Sequence, residues 1–345
     1  MKSKLYNAYI GELFKTSRKG TFVKLLIALI VVFILVSILF TVISNLYEEV
    51  GIQDEIGLIE FQTNDEAIEY YEQLIKDQET YKETVNMIGI NDNTLYSYKA
   101  NLAKYKYLKE HNISPTSVND FSGQSLSMNA NTFVPTIMSI VVTILIIFSI
   151  TVSYRNYAYE INRGTLKMQL LRPIKRTTVF TAKWLSTYSI SSVFLLLFTI
   201  IAEIIGVLKF GVSAKSLVVV VNQDNVFLVS PIVQFIVLLI NYMFQLYAYI
   251  QFTYFVANTV RKGTTASLII SLIMFLIGAS IEGGLGYIYI GYLGFAVNMD
   301  WVSALTVTGP SMEYMNIYSM LAISLLWAVG MTVFNYYSVK NRDIN

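Results

Sequence analysis

The chain has 345 residues, of which 54% are hydrophobic and 14% charged, with a mean hydropathy of +0.53. A soluble domain of this length carries about 25% charged residues, so the composition indicates a membrane protein. The formal net charge of +2 gives no argument for a nucleic-acid partner. Because there is no cysteine and only one histidine, His111, disulfides, thiolate metal sites and two-histidine mechanisms are excluded, and we expect no metal site.

Residues 1–24 predict an amphipathic helix that lies in the membrane interface. Its apolar side chains are Leu5, Tyr6, Tyr9, Ile10, Leu13 and Phe14, and its charged face holds Lys4, Glu12 and Lys15. Residues 25–44 follow as a first span, because Leu25–Ile43 is nineteen residues without a charge. That length crosses about 30 Å of hydrocarbon at about 1.5 Å per residue.

Residues 45–132 form a long polar segment with fifteen acidic and six basic residues. Asn64 is a candidate cap for a helix that buries Ile68, Tyr71 and Ile75 on one face. After a polar turn at 91–93, apolar residues recur at three- and four-residue spacing from Leu95. We therefore predict a small extracellular helical domain, either a structural cap or a lid that binds substrate or a partner.

The remaining residues, 133–345, contain five further apolar runs, which makes the predicted fold an all-α integral membrane protein with six transmembrane helices. The predicted spans are Leu25–Ser44, Phe133–Val152, Thr187–Leu208, Pro231–Val256, Thr265–Ile281 and Tyr318–Tyr337. If the amino terminus is inside, the inner segments hold 17 Lys and Arg against three acids. This distribution follows the positive-inside rule and predicts a plasma-membrane protein with both termini in the cytoplasm.

The loop 153–186 is the most basic inner segment, with seven Lys and Arg and a single acid, Glu160. Thr165 is a candidate cap for a short helix with Leu166, Leu170 and Leu171 near one face. Pro173 lacks an amide donor and should end that helix. A rigid apolar knob of this kind can transmit a push from a partner, whereas a merely basic segment would bind anionic lipid.

The order of residues in this loop resembles the cytoplasmic loop between the second and third spans of type-2 ATP-binding-cassette (ABC) permeases of the bacterial six-span exporter type. The matching residues are Glu160, Gly164, Thr165, Leu166, Leu170, Leu171, Pro173 and Arg176, although Pro173 follows the leucine pair after one residue and not two. The resemblance implies that these residues dock a separate ATPase subunit, which binds ATP and magnesium. It also implies a second permease subunit, identical or related.

A polar stripe on the fourth span comprises Gln234, Asn241 and Gln245, which share one helical face. Ser139 and Thr143 lie four residues apart in the second span. Because amides do not face lipid, the stripe either makes hydrogen bonds between helices or lines a translocation path.

Two acids, Glu203 and Glu282, fall at the ends of the third and fifth spans. They are candidate proton or cation sites, or simple interfacial residues. The resemblance to these permeases implies that the outer segment between the fifth and sixth spans dips back into the bilayer. The five glycines and three tyrosines of Glu282–Gly294 are compatible with such a re-entrant piece, and an aromatic-rich surface loop is the alternative.

The chain lacks the phosphate-binding Gly-x-x-x-x-Gly-Lys-Ser/Thr motif and the motifs of common hydrolases, so we expect no enzyme and no bound cofactor. The leading hypothesis is the permease subunit of an ABC exporter for an amphipathic cargo such as an antimicrobial peptide, drug or lipid. The alternatives are sodium or proton extrusion, and ligand sensing or immunity with an ATPase partner.

Overall fold

The computed structural model describes the following residues: 2–18, 22–24, 26–28, 30–31, 33–35, 37–38, 42, 61–85, 92–121, 130–170, 174–211, 217–222, 225–260, 264–280, 295–296, 298–307, 309 and 316–341. Within them the fold is mainly helical. The helices are α1 (Lys2–Arg18), α2 (Asn64–Val85), α3 (Asp92–Glu110), α4 (Ala130–Asn156), α5 (Ala158–Asn162), α6 (Thr165–Leu170), α7 (Arg176–Phe210), α8 (Pro231–Thr259), α9 (Thr264–Ser280) and α10 (Ile317–Asn341). Two short 3₁₀ helices cover Pro115–Ser117 and Trp301–Leu305.

Four helical runs among the described residues are long and apolar enough to cross a membrane. They are Thr132–Asn162, Arg176–Phe210, Pro231–Thr259 and Ile317–Asn341, and they contain the predicted second, third, fourth and sixth spans. The predicted fifth span falls in α9, whose apolar part, Thr265–Leu276, is shorter. The described helices therefore agree with a multi-span membrane protein.

Nine of the twenty residues of the predicted first span, 25–44, lie outside the described residues. The described residues of this span are helical, and ring contacts of Phe33, and of Phe22 just before the span, show where the region packs. The ring of Phe22 lies 5.8 Å from that of Phe148 in α4, and the ring of Phe33 lies 4.9 Å from that of Phe198 in α7. These contacts place the described residues beside α4 and α7.

The helix that contains the predicted third span is longer than that span, because α7 begins at Arg176 and not at Thr187. Residues 176–186 are thus the first turns of a long helix instead of part of a loop. The shorter helices α5 and α6 precede it and meet at Gly164, whose φ of 68° lies in the left-handed region. A residue with a side chain would be strained there, so glycine permits the change of direction between α5 and α6.

A small three-stranded sheet was not predicted. It consists of β1 (Val118–Asp120), β2 (Leu217–Asn222) and β3 (Asn225–Val229) in the order β1-β2-β3. β1 runs parallel to β2, with Val118 opposite Leu217, and β2 runs antiparallel to β3, with Val218 opposite Val229. The sheet therefore joins two segments that the sequence separates by about a hundred residues.

The predicted helical hairpin is present as α2 packed on α3, and the sheet completes its core. The shared core contains these buried residues: Phe61, Ala67, Ala100, Tyr105, Leu108, Val118, Val219, Val221 and Val226. The cap of α2 differs from the prediction, because the Thr63 hydroxyl accepts a bond from the amide of Glu66 at 3.3 Å. Asn64 instead donates to the carbonyl of Ile113 at 2.8 Å and ties α2 to the end of α3.

The bundle has two distinct ends. The sheet end holds α2, α3 and the strands, together with the first turns of α4, α8 and α10 and the last turn of α7. The α1 end holds α1, α5 and α6, with the last turns of α4, α8 and α10 and the first of α7. α1 packs its polar face on α7, with Glu12 and Thr16 buried, while Tyr6 and Phe14 are exposed. An outward apolar face fits the predicted interfacial helix.

Candidate functional site

The α5–α6 segment forms a projection at the α1 end, and the sequence predicted docking residues within it. Leu166 points inward and packs in a buried cluster with Tyr157, Phe180 and Tyr254. Thr165 is the first residue of α6, and its hydroxyl donates to the carbonyl of Glu160 at 3.3 Å instead of capping the helix. Inward packing of Leu166 stabilises the projection but leaves that leucine unable to contact a partner.

The other predicted docking residues divide into two groups. Leu171, Pro173 and the side chain of Leu170 lie outside the described residues. Arg176 starts α7, and Gly164 forms the turn between α5 and α6. Among the side chains of the projection that the structure describes, Tyr159, Asn162 and Arg163 are exposed. The Arg163 guanidinium stacks over the Tyr159 ring at 4.6 Å from its centroid.

Glu160 belongs to a buried ion cluster that sequence analysis missed. The ammonium of Lys183, which has no solvent-accessible surface, lies 2.7 Å from Glu160 Oε2 and 3.0 Å from Glu12 Oε2. Lys15 Nζ lies 2.8 Å from Glu160 Oε1 and 3.4 Å from Glu12 Oε1. Two carboxylates and two ammonium groups thus alternate in one neutral cluster, which joins α1, α5 and α7.

The lysine on the edge of this cluster remains charged. Burial lowers the pKa of Lys15, but the charge of Glu12 and the hydrogen bond to Glu160 outweigh burial, so the pKa lies above its usual value of 10.5. A second polar contact lies nearby, because the Asn156 amide donates to the Thr16 hydroxyl at 2.9 Å and to that of Thr187 at 3.2 Å. α1 is therefore fixed to the bundle mainly by polar contacts.

A chain of buried hydrogen bonds runs from the projection into the longer helices. The Tyr157 hydroxyl donates to Asn258 Oδ1 in α8 at 2.6 Å. Asn258 Nδ2 donates to Asn335 Oδ1 in α10 at 2.9 Å, and Asn335 Nδ2 donates to Gln251 Oε1 at 3.1 Å. Displacement of Tyr157 would therefore act on α8 and α10 together.

The structure separates the residues predicted to line a path. Gln234, Asn241 and Gln245 are buried, and their amides donate to groups of the same chain: Gln234 to the carbonyl of Phe121 at 2.7 Å, and the other two to Asp300. Ser139 and Thr143 are exposed on α4, and their hydroxyls donate to carbonyls within that helix. The amide stripe thus faces protein, whereas the hydroxyl stripe faces outward.

The predicted intramembrane acids also differ in their settings. Glu203 lines a cavity of about 360 Å³ between α4, α7 and α8, together with Met138, Thr199, Phe235 and Leu238 among others. Glu282 lies outside the described residues, as does the proposed re-entrant segment Glu282–Gly294. Asp300, which the sequence analysis did not single out, contacts Asn241 near the middle of α8.

These features define a helical membrane protein with the projection and its buried ion cluster at one end and a small mixed domain at the other. Residues 14–344 match the family model described as ABC-2 family transporter protein, so the chain belongs to the ABC-2 family. A comparison with curated proteins finds no match. The match makes the chain an ABC-2 type permease, a membrane transport subunit that is not itself catalytic, and the family implies an ABC ATPase partner.

Proposed function

We propose that this permease is the membrane subunit of an exporter for amphipathic molecules and that separate ATPase subunits drive it through the α5–α6 projection. In this arrangement the α1 end faces the cytoplasm and the sheet end faces outward. The buried ion cluster is the observation that carries the proposal. A projection fixed by Lys183 and Glu160 to α7, and by Tyr157 to α8, would move these helices when a partner moves it.

The docking surface comprises Tyr159, Asn162 and Arg163, together with the predicted apolar contribution of Leu170 and Leu171. Glu160 and Leu166 support this surface from behind, because both are buried. The distinction matters for mutagenesis, since a change at a supporting residue alters the fold, whereas a change at an exposed residue alters the contact.

The docking proposal is tested by Arg163→Glu in the complex of permease and ATPase subunits. We expect the variant to insert normally but to bind the ATPase subunit more weakly and to lose stimulation of ATP hydrolysis. The matched control is Lys340→Glu, a charge reversal at an exposed position at the α1 end but on α10. Equal loss in both variants, or none in either, would contradict docking at the projection.

The hydroxyl stripe of α4 supports a path formed with a second permease subunit. α4 is the most buried of the four long apolar helices, yet it exposes Ser139 and Thr143 four residues apart. Their hydroxyls are satisfied by the helix itself, so they present a polar surface without unpaired groups. Two copies that bring these stripes together would enclose a path with both apolar and hydroxyl character, which suits an amphipathic cargo.

This arrangement is testable because the chain has no cysteine. Thr143→Cys should form a disulfide-linked dimer in native membranes, whereas Val329→Cys, on an exposed face of α10, should not. If only the variant at position 329 formed a cross-linked dimer, the second subunit would contact α10 and not the hydroxyl stripe of α4, which would contradict the proposed path.

A further inference from the structure

An acidic group lies against the middle of α8, outside the projection and the path described above. The carboxylate oxygen Oδ1 of Asp300 accepts hydrogen bonds from Asn241 Nδ2 at 2.7 Å and from Gln245 Nε2 at 3.3 Å. The backbone amide of Val302 also donates to this carboxylate. Asn241 and Gln245 lie about 15 and 21 Å along α8 from its start at Pro231, at about 1.5 Å per residue.

The surroundings contain no balancing cation among the residues that the structure describes. No ion pair to Asp300 occurs there. The described groups packed around it are neutral: α8 presents Tyr242, β2 has no titratable side chain, and α10 contributes Tyr318 only at its exposed start. Asp300 is half-buried, whereas its neighbours Met299, Trp301 and Val302 are buried. An unpaired carboxylate in such a setting is costly, and it is relieved by a proton or a cation.

The orientation of the Asn241 and Gln245 amides distinguishes between a proton and a metal cation as the ligand of Asp300. A metal cation needs oxygen atoms around it, but Asn241 and Gln245 both point their nitrogens at the carboxylate. Asn241 Oδ1 is buried and has no hydrogen-bond partner among the described residues. If the amide of Asn241 turned over, that oxygen would take the place of Nδ2, 2.7 Å from Asp300 Oδ1, where it could accept a bond from a protonated carboxyl.

We propose that Asp300 and Asn241 form a proton-binding site in which protonation of the carboxyl is linked to reversal of the Asn241 amide. Ionised Asp300 accepts a bond from the amide nitrogen, and protonated Asp300 donates one to the amide oxygen. The proton comes from water and is added to Asp300 Oδ1, and no covalent bond between heavy atoms changes. Both states pair the buried Asn241 with the carboxyl, so the site has two defined arrangements.

Because Asn241 lies on α8, the two arrangements act on the helix that also contacts Tyr157 at the α1 end. The site therefore makes the permease sensitive to protons at a position remote from the ATPase subunits. This inference does not depend on the identity of the cargo.

The test is infrared difference spectroscopy of the full-length chain in lipid nanodiscs, with carbon-13 in the aspartate side chains. We expect the carbonyl band of a protonated aspartic acid to persist above the ordinary titration range of aspartate and to be lost in Asp300→Asn. The controls are Asp120→Asn, which removes a carboxylate paired with Lys104, and Glu203→Gln, and both should keep the band. In Asn241→Leu the band should move to the position of an acid without a hydrogen-bond acceptor.

Three results would overturn the proposal. The first is an Asp300 that titrates in the ordinary aspartate range, near pH 4. The second is a band that disappears when sodium is added at constant pH, which would make this a metal-cation site. The third is an unchanged band in Asn241→Leu, which would leave the amide without a role. Failure of the docking or cross-linking experiments would leave this result unaffected.

Discussion

Removal of the Lys183 ammonium should destabilise the protein strongly, because its charge lies between two buried carboxylates. At an effective dielectric constant of about 20, a pair of charges about 3 Å apart attracts with about 6 kcal/mol. Lys183 makes two such contacts, at 2.7 and 3.0 Å. Desolvation of the ions consumes most of this gross attraction, but loss of one partner from a buried pair still costs about 3–5 kcal/mol.

Lys183→Met retains the length of the side chain and removes only the charge. Lys15 stays beside both carboxylates and limits the loss, so we expect a decrease of about 3 kcal/mol in the free energy of unfolding. The measurement is a double-mutant cycle of Lys183→Met with Glu160→Gln, followed by circular dichroism in detergent during denaturant titration. The double variant should lose less than the sum of the single variants, with a coupling energy of about 2 kcal/mol or more.

The same cycle on Lys106 and Glu72 provides a matched control. Their ion pair is 2.8 Å long, but both side chains are about half exposed, at 50% and 53%. Solvent screens such a pair, so its coupling energy should be below about 1 kcal/mol. If the Lys183 cycle gave a value as small as that of Lys106, the cluster would not fix the projection and the proposed transmission would fail.

Three further changes probe other parts of the molecule. Asn335→Leu interrupts the hydrogen bonds between α8 and α10, so it should lower the free energy of unfolding by about 1–2 kcal/mol. It should also reduce the ATP hydrolysis that drives transport, without weakening binding of the ATPase subunit. Unchanged coupling of hydrolysis to transport would exclude transmission through these hydrogen bonds. Glu203→Gln should weaken binding of a fluorescent lipophilic cation to the purified chain about tenfold, as measured by fluorescence anisotropy, while a neutral analogue should bind equally to both proteins. Lys104→Met should cost about 2 kcal/mol and raise amide hydrogen exchange in α3 and β1, because Asp120 loses its ion-pair partner at 2.6 Å. Burial lowers the pKa of Lys104, but the charge of Asp120, the neighbouring Tyr105 and the hydrogen bond to Asp120 together outweigh burial, so the folded pKa exceeds 10.5. The stability that the pair contributes is therefore complete below pH 10.5 and is lost only as the pH rises through the folded pKa, so its loss at neutral pH would contradict the pairing.

The long helices could be predicted because a continuous apolar run is a local signal, but hydropathy does not locate helix ends. α7 starts at Arg176 because its first turns pack on α1 and place Lys183 between Glu12 and Glu160. The sheet was missed for a different reason. Its strands pair Val118 with Leu217, and no local pattern reveals a partner so distant in sequence.

The sequence contains one sign of the ion cluster, which is the scarcity of acids in the basic segments. The predicted inner segments hold only three acids among 17 Lys and Arg, and Glu12 and Glu160 are two of them. An isolated acid in a basic segment is a good candidate for an ion pair with a lysine. Residues 12 and 160 are 148 positions apart, however, so the sequence did not indicate that both acids pair with the same lysines. Asp300 could not be recognised in the same way, because it comes directly before a short 3₁₀ helix and not within an apolar helix.

The buried amides of α8 make hydrogen bonds to other segments, which is one of the two roles that the sequence left open for the polar stripe, and they connect both ends of the bundle. Gln234 binds the carbonyl of Phe121 beside the sheet, Asn241 binds Asp300 near the middle, and Asn258 accepts the hydroxyl of Tyr157 at the α1 end. A buried amide that loses its hydrogen-bond partner is an unsatisfied polar group, which is unfavourable in free energy. Each of these contacts therefore resists sliding of α8 past its neighbours. We therefore expect α8 to move as one body with the α5–α6 projection and to carry its displacement past Asp300 to the sheet.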